Sequence, residues 1–92
     1  MNQVPVNETD PRIQEALTEL REMIRSRWPS AVFVTEHGFD PEGIYLIATV
    51  DVEDTDVVMN EIIDRLVDMQ VEEGLPVYVH VQPPQQSQAH LG

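Results

Sequence analysis

The chain contains neither cysteine nor lysine among its 92 residues. Without cysteine it has no disulfide framework, no thiol nucleophile and no thiolate zinc site. Without lysine it has no amine for Schiff-base chemistry and no lysine to complete a phosphate-binding loop. No apolar run approaches the roughly 20 residues of a membrane-spanning helix, and the first ten residues lack the pattern of a signal peptide. These absences favour a soluble cytoplasmic protein.

Positive charge is also scarce. Five arginines stand against seventeen carboxylates, which gives a formal net charge of −12. Phosphate neutralisation requires a cationic surface, so we expect no nucleic-acid partner. Anionic membranes are disfavoured for the same reason. A basic protein or a metal cation would be attracted, although acidity of this kind commonly serves solubility.

The length allows one domain. We expect a flexible N-terminus over residues 1–9, a single folded domain over 10–82 and a disordered tail rich in proline and glutamine over 83–92. A folding unit of this size buries only about 60% of the surface of its unfolded chain. Such a domain gains stability from association with another chain.

Two amphipathic helices are predicted. The first begins with Asp10 as N-cap and Pro11 in the first turn. Its apolar face repeats at helical spacing through Ile13, Ala16, Leu17, Leu20, Met23, Ile24 and Trp28. The second begins in the acidic segment 51–56, with Asp54 or Thr55 as N-cap. Its apolar residues up to about position 70 are Val58, Met59, Ile62, Ile63, Leu66, Val67 and Met69.

Three strands are predicted, over residues 31–36, 43–52 and 76–82. An irregular loop over 36–42 suits a hairpin, so the first two strands are expected to be antiparallel. Gly74 suits the left-handed position at the end of the second helix, and the strand–helix–strand order then implies a parallel crossover. The predicted fold is α+β, in the order α-β-β-α-β, with a three-stranded mixed sheet and both helices on one face.

Alternation along the strands separates the two sheet faces. The residues expected to meet the helices are Ile44, Leu46, Ala48, Val50, Val52, Val77, Val79 and Val81. The residues that point the other way are Tyr45, Ile47, Thr49, Tyr78 and His80. No segment of the chain remains to cover this second face. These five residues are therefore the candidate interface or ligand-binding residues.

Residues 42–82 resemble the second half of a small nucleotidyltransferase domain of the polymerase-beta type. In that family a strand with an Asp-x-Asp pair, an acidic and aliphatic helix, and a strand with a third carboxylate hold two metal ions. The matching positions here are Gly43, Tyr45 and Tyr78, none of which binds magnesium as a carboxylate does. The Gly-Ser turn of the family is also missing. The resemblance implies a degenerate scaffold whose catalytic residues are absent.

Other motifs give little support for chemistry. A calcium-loop frame starting at Asp51 fails at its glycine and glutamate positions, although weak cation binding by the segment 51–56 stays open. His37 near Asp40 and Glu42 is a weak metal signal. Three arginines in the last two turns of the first helix favour capping over phosphate binding. No catalytic residue, metal site or cofactor is predicted.

Two functions remain after this comparison. The first is a non-catalytic interaction module, a homodimer or a subunit of a larger complex, joined through the uncovered sheet face. The second is a nucleotide or small-ligand binder in which Tyr45 and Tyr78 stack on a base. Aromatic residues also favour strands whatever their role, and the first function is preferred.

Overall fold

The structure, a computed structural model, describes residues 9–84. Most of the predicted flexible N-terminus and disordered tail lie outside the described residues. The elements are α1 (Pro11–Arg27), β1 (Val32–Phe39), β2 (Glu42–Thr49), α2 (Asp56–Val67), a π-helical turn (Asp68–Glu72) and β3 (Val77–Gln82). This order confirms the predicted α-β-β-α-β fold.

Helix α1 begins where the sequence predicts. The Asp10 carboxylate accepts the backbone N–H of Arg12 at 2.9 Å, and Pro11 occupies the first turn. At the other end the N–H of Trp28 donates to the carbonyl of Ile24 at 2.8 Å. The side chains of α1 that are buried against the rest of the domain are Ile13, Ala16, Leu17, Leu20 and Ile24.

The hairpin between β1 and β2 is longer and tighter than expected. The predicted irregular loop over 36–42 is wrong, because both strands continue to a two-residue turn at Asp40-Pro41, where the peptide bond is cis. His37 and Gly38 were expected in a turn but are paired residues of β1. The His37 ring donates through Nε2 to the Glu42 carboxylate at 3.1 Å across the strands. Cross-strand pairing here outweighs the local turn preference of these residue types.

Strand β2 occupies the centre of the sheet. It pairs antiparallel with β1 and parallel with β3, so the strand order is β1-β2-β3. Tyr45 lies opposite Tyr78 in the parallel register. The N–H of Ile44 donates to the Pro76 carbonyl at 2.9 Å, which continues the pairing beyond the start of β3.

Helix α2 starts in the acidic segment, with Thr55 at the N-cap position. The Thr55 side chain makes no capping hydrogen bond. The Asp54 carboxylate instead accepts the N–H of Asp56 at 3.0 Å. After the π-helical turn, Gly74 has a φ of +65°, the left-handed conformation that the sequence predicts for it.

The core lies between the two helices and one face of the sheet. The predicted inward set on β2 is confirmed, since Ile44, Leu46 and Ala48 are fully buried. Val77 joins them from β3, while Val52, Val79 and Val81 are partly buried against the same core. Both helices therefore pack on a single face, and the other face of the sheet is left open.

Ion pairs join the two helices at the rim of this core. Arg65 on α2 binds Glu19 on α1 through two hydrogen bonds of 2.6 and 3.0 Å, and it also donates to Glu73 at 2.8 Å. Arg27 pairs with Glu61 at 2.8 Å. The hydrogen bonds from Arg65 lower the pKa of the Glu19 carboxyl, while those to Glu19 and then Glu73 raise the pKa of the Arg65 guanidinium. Because both partners are partly exposed, we expect this bidentate pair to add modest stability.

Replacing Glu19 with Gln should reduce the free energy of unfolding near pH 7 relative to Glu15→Gln. The matched variant removes one negative charge from the same helix, at a residue without an ion pair in the described part of the chain. The folded-state pKa of Glu19 is lowered. The carboxylate therefore contributes fully to the free energy of unfolding above the ordinary carboxyl pKa of 4.5, and this contribution is lost as the pH falls through the folded-state pKa.

Urea unfolding of the two variants measures this contribution. Their midpoints should differ at about pH 7, and the difference should shrink as the pH falls through the lowered folded-state pKa of the Glu19 carboxyl. A difference that stays constant as the pH is lowered would contradict a role for the ionised pair.

Candidate functional site

The candidate residues from the sequence lie together on one surface, which we call the open face. It comprises the side chains of the sheet that point away from the helices. Register places them in three rows across the strands: Val32 with Thr49 and Gln82, Val34 with Ile47 and His80, and Glu36 with Tyr45 and Tyr78. All five predicted residues, Tyr45, Ile47, Thr49, Tyr78 and His80, therefore share this face.

Two tyrosine rings cover two glycines on the open face. A methyl group at Gly38 would sit 2.4 Å from Cε1 of Tyr45, and one at Gly43 would sit 2.5 Å from Cε2 of Tyr78. The two rings also stack on each other, with centroids 4.9 Å apart and planes inclined by 28°. An aromatic ring over a strand glycine replaces packing that the missing side chain does not supply. The glycines and tyrosines thus form one interlocked unit.

Polar contacts hold this unit in place. The Tyr45 hydroxyl donates to the Pro41 carbonyl at 2.8 Å. Burial of the ring, followed by the neighbouring Tyr78 and Asp40, raises the pKa of the Tyr45 phenol above its ordinary value. The hydroxyl therefore stays protonated near neutral pH and remains a donor. Because both ends of the Tyr45 side chain are restrained, the ring is fixed before any partner arrives.

Strand β1 supplies the most exposed apolar residues of the open face, and these were missing from the sequence-based set. Val32 is 60% exposed and Val34 is 55% exposed. Both precede Glu36 in the alternating stretch VFVTE, whose even-numbered residues share one face. The alternation was visible in the sequence, but the register that joins these residues to Ile47 comes only from the strand pairing.

Charge is segregated between the two sides of the domain. Among the paired strand residues, Glu36 is the carboxylate on the open face, and His80 is the other titratable group there besides the tyrosines. Asp40 stands near Tyr45 at the turn. All five arginines lie on the helices: Arg12, Arg21, Arg25, Arg27 and Arg65. The helical layer thus carries most of the charge, and the open face is close to neutral.

A second exposed apolar surface lies on the outer side of α2. We call it the outer α2 stripe; it consists of Val57, Ile63, Val67 and Val71. Ile63 and Val67 are among the apolar residues that the sequence predicts for this helix, but they do not belong to the core. They are 37% and 45% exposed because the core accepts only Val58, Ile62 and Leu66 from α2.

The remaining candidate sites do not assemble. No three His, Asp or Glu side chains among residues 9–84 are arranged to hold a metal ion. The arginines at the end of α1 have three separate partners, which are the Thr18 hydroxyl, the Phe33 ring and the Glu61 carboxylate. A shallow concavity over α1 is lined by Gln14, Glu15, Thr18, Glu19 and Glu22, all from one helix. None of these features brings reactive groups together.

The three positions that correspond to metal ligands in the resembled family are neighbours in the structure. Gly43 lies beneath the Tyr78 ring, and Tyr45 stacks beside it. Comparison with protein-family models, with curated proteins and with solved structures finds no match to this chain. In the described part of the chain no helix is long and apolar enough to cross a membrane.

The two glycines should respond differently to substitution by alanine. At Gly43 a methyl group meets the Pro76 carbonyl oxygen at 2.5 Å, and this backbone atom belongs to the parallel pairing. At Gly38 the close atoms belong to the Tyr45 ring alone. We expect Gly43→Ala to lower the free energy of unfolding by about 1–3 kcal/mol, as an overpacked site does, and Gly38→Ala to cost less.

Urea unfolding with a second substitution tests this interpretation. Tyr45→Ala should abolish the penalty of Gly38→Ala because it removes the clashing ring, whereas Tyr78→Ala should rescue Gly43→Ala only in part because the clash with the Pro76 carbonyl remains. Near-UV circular dichroism should report loss of tyrosine stacking in Gly38→Ala. Equal rescue at both glycines would contradict the distinction between ring and backbone contacts.

Proposed function

We propose that this protein is a non-catalytic interaction module that docks through its open face, as a homodimer or as a subunit of a larger complex. The observation that carries the proposal is a contiguous, nearly neutral sheet face on a chain of net charge −12. Val32 and Val34 on this face are more than half exposed. Exposed apolar surface of this kind marks protein contact sites when its members are contiguous.

The composition of the face supports a protein partner. Interface centres are enriched in aromatic residues and depleted of charge. Tyr45, Tyr78 and Ile47 form such a centre, and Glu36 and His80 lie on the two outer strands beside it. The tyrosine hydroxyls provide polar contacts at low entropic cost because tyrosine has few rotatable bonds.

The fixed tyrosine unit also lowers the cost of binding. Ordering a mobile side chain at an interface costs about 0.5–1.5 kcal/mol. Here the Tyr45 ring is already held by Gly38, by Tyr78 and by the hydrogen bond to Pro41. A partner therefore meets a surface whose central residues are ordered beforehand.

Loss of catalytic function is part of the same proposal. The positions that would hold metal in a polymerase-beta-type scaffold carry Gly43, Tyr45 and Tyr78. The two tyrosines instead provide contact area, which favours a binding role for the strand pair.

A charge placed at the centre of the open face should weaken self-association. We expect the wild-type chain to sediment as an assembly of more than one copy at high micromolar concentration. Ile47→Asp should lower the average mass of the assembly, because association would then bury an uncompensated carboxylate. Ile63→Asp is the matched control, because Ile63 is an exposed isoleucine on the outer α2 stripe. Sedimentation equilibrium measures all three proteins, after circular dichroism has verified their folding. An identical mass for all three would contradict self-docking through this face.

The alternative is a nucleotide or small-ligand site at the tyrosines. A base that stacks between two rings needs about 7 Å between them, since each stacking contact is about 3.5 Å thick. The rings of Tyr45 and Tyr78 are 4.9 Å apart between centroids, so this slot is closed. A ligand would have to use the outer faces of the rings.

We therefore expect nucleotides, with and without magnesium, to leave the melting temperature unchanged. A thermal-shift series on the wild type and on Tyr45→Ala provides the measurement, because a ligand that binds the folded state raises its melting temperature. A shift in the wild type that disappears in Tyr45→Ala would favour the ligand-binding function over the interaction module.

A further inference from the structure

We propose that the free edge of β1 pairs antiparallel with the β1 edge of a second copy, so that two chains build one continuous six-stranded sheet. This pairing uses a different surface from the side chains of the open face. It deepens the proposed function, on which it rests, because it joins two open faces into a single larger docking surface.

The first support is the outer edge of β1, with which no strand among residues 9–84 pairs, since β2 lies on its other side. An edge strand presents unpaired N–H and C=O groups, and native proteins shield such edges with lysine, proline, bulges or a covering element. Strand β1 is eight residues long, VFVTEHGF, and contains neither lysine nor proline. The opposite edge strand, β3, is shorter and is bounded by Pro76 on one side and by Pro83 and Pro84 on the other.

The second support is that, among the described residues, β1 is open on one face and only partly covered on the other. Val32 and Val34 are exposed on the open face. On the side of the helices Phe33 packs against the core beneath Arg25, whereas Thr35 is exposed and Phe39 is 76% exposed. The helical layer therefore covers β1 only in part. A second β1 strand beside the first would contribute the missing neighbours on both faces at once.

Charge favours a second copy as the occupant. A basic partner would be drawn to the acidic helical layer, whereas β1 carries Glu36 as its one carboxylate. Two copies joined at this strand bring together an element with a single carboxylate in a chain whose net charge is −12. The edge is therefore a place where identical acidic chains meet with little repulsion.

The register of the pair follows from symmetry. Antiparallel pairing of identical strands requires a two-fold axis perpendicular to the sheet, so open faces stay on the same side and residues of like parity lie opposite each other. A centre at Glu36 would place two carboxylates in contact, which is unfavourable. A centre at Thr35 gives the longest overlap without this clash. It sets Phe33 opposite the partner's His37 and Val34 opposite the partner's Glu36.

The size of the open face explains why pairing is useful. Three strands spaced about 4.8 Å apart and about 20–25 Å long present roughly 300–350 Å² in projection. A standard interface buries about 800 Å² per partner. Doubling the sheet to six strands brings the projected face to roughly 600–700 Å², which approaches this size. The paired sheet therefore offers a docking surface closer to the standard size than one chain does.

Cysteine substitution tests the pairing directly, because the chain has no cysteine of its own. Under mild oxidation Thr35→Cys should form a disulfide-linked dimer roughly tenfold or more faster than Thr18→Cys, an exposed site on α1, since pairing raises the local thiol concentration. When the Val34→Cys and Glu36→Cys variants are mixed, disulfides should form between the two variants in preference to forming between two copies of either one. Hydrogen exchange on the wild type should show protection of the outward-facing amides of β1 that increases with protein concentration.

The outcomes separate this inference from the proposed function. Thr35→Cys combined with Ile47→Asp should still crosslink, because Ile47 lies on β2 and not at the edge. If Ile47→Cys or His80→Cys crosslinks but Thr35→Cys does not, the copies meet face to face. That result would overturn edge pairing and leave the proposed docking face intact. If Thr35→Cys crosslinks no faster than Thr18→Cys, and the β1 amides show no protection from hydrogen exchange at high protein concentration, the β1 edge is free. This result would overturn the inference. Fast crosslinking without any effect of Ile47→Asp on wild-type mass would support edge pairing and contradict self-docking through the open face.

Discussion

Strand β2 is paired on both of its edges, and its helix-facing residues have no exposed surface. Ile44, Leu46 and Ala48 anchor the helical layer, while Tyr45 and Ile47 form the centre of the open face. Because side chains alternate along a strand, the burial of one set fixes the exposure of the other. A shift of one residue in this register would exchange the core with the contact surface. The fold and the candidate site therefore depend on the same pairing.

Local patterns were sufficient to predict most of this arrangement. The alternation in residues 42–49 separated the faces correctly, and Asp10 with Pro11 located the start of α1. The hairpin was harder because His37 and Gly38 have turn-forming types but lie in a strand. Their conformation depends on the cross-strand contacts with Glu42 and Tyr45, which no local pattern contains. The exposure of Ile63 likewise depends on how much of α2 the core has room for.

The tyrosine unit shows why residue type alone left the site undecided. Tyr45 and Tyr78 were consistent with strand packing, base stacking or a protein contact. The structure shows that each ring covers a glycine and that the two rings stack closely. Little room therefore remains for a base between them. The proposed protein contact is supported by this order, because side chains that are already held cost less to bind.

Charge segregation connects solubility with association in this chain. The helices and the π-helical turn carry all five arginines and half of the described carboxylates, and charged groups favour exposure to solvent. The sheet is left nearly neutral, and its β1 edge has none of the usual protection. An unprotected edge on both sides of a sheet would permit open-ended growth into fibres. Here the β3 edge is bounded by prolines, so pairing through β1 closes on itself at two copies and stops there.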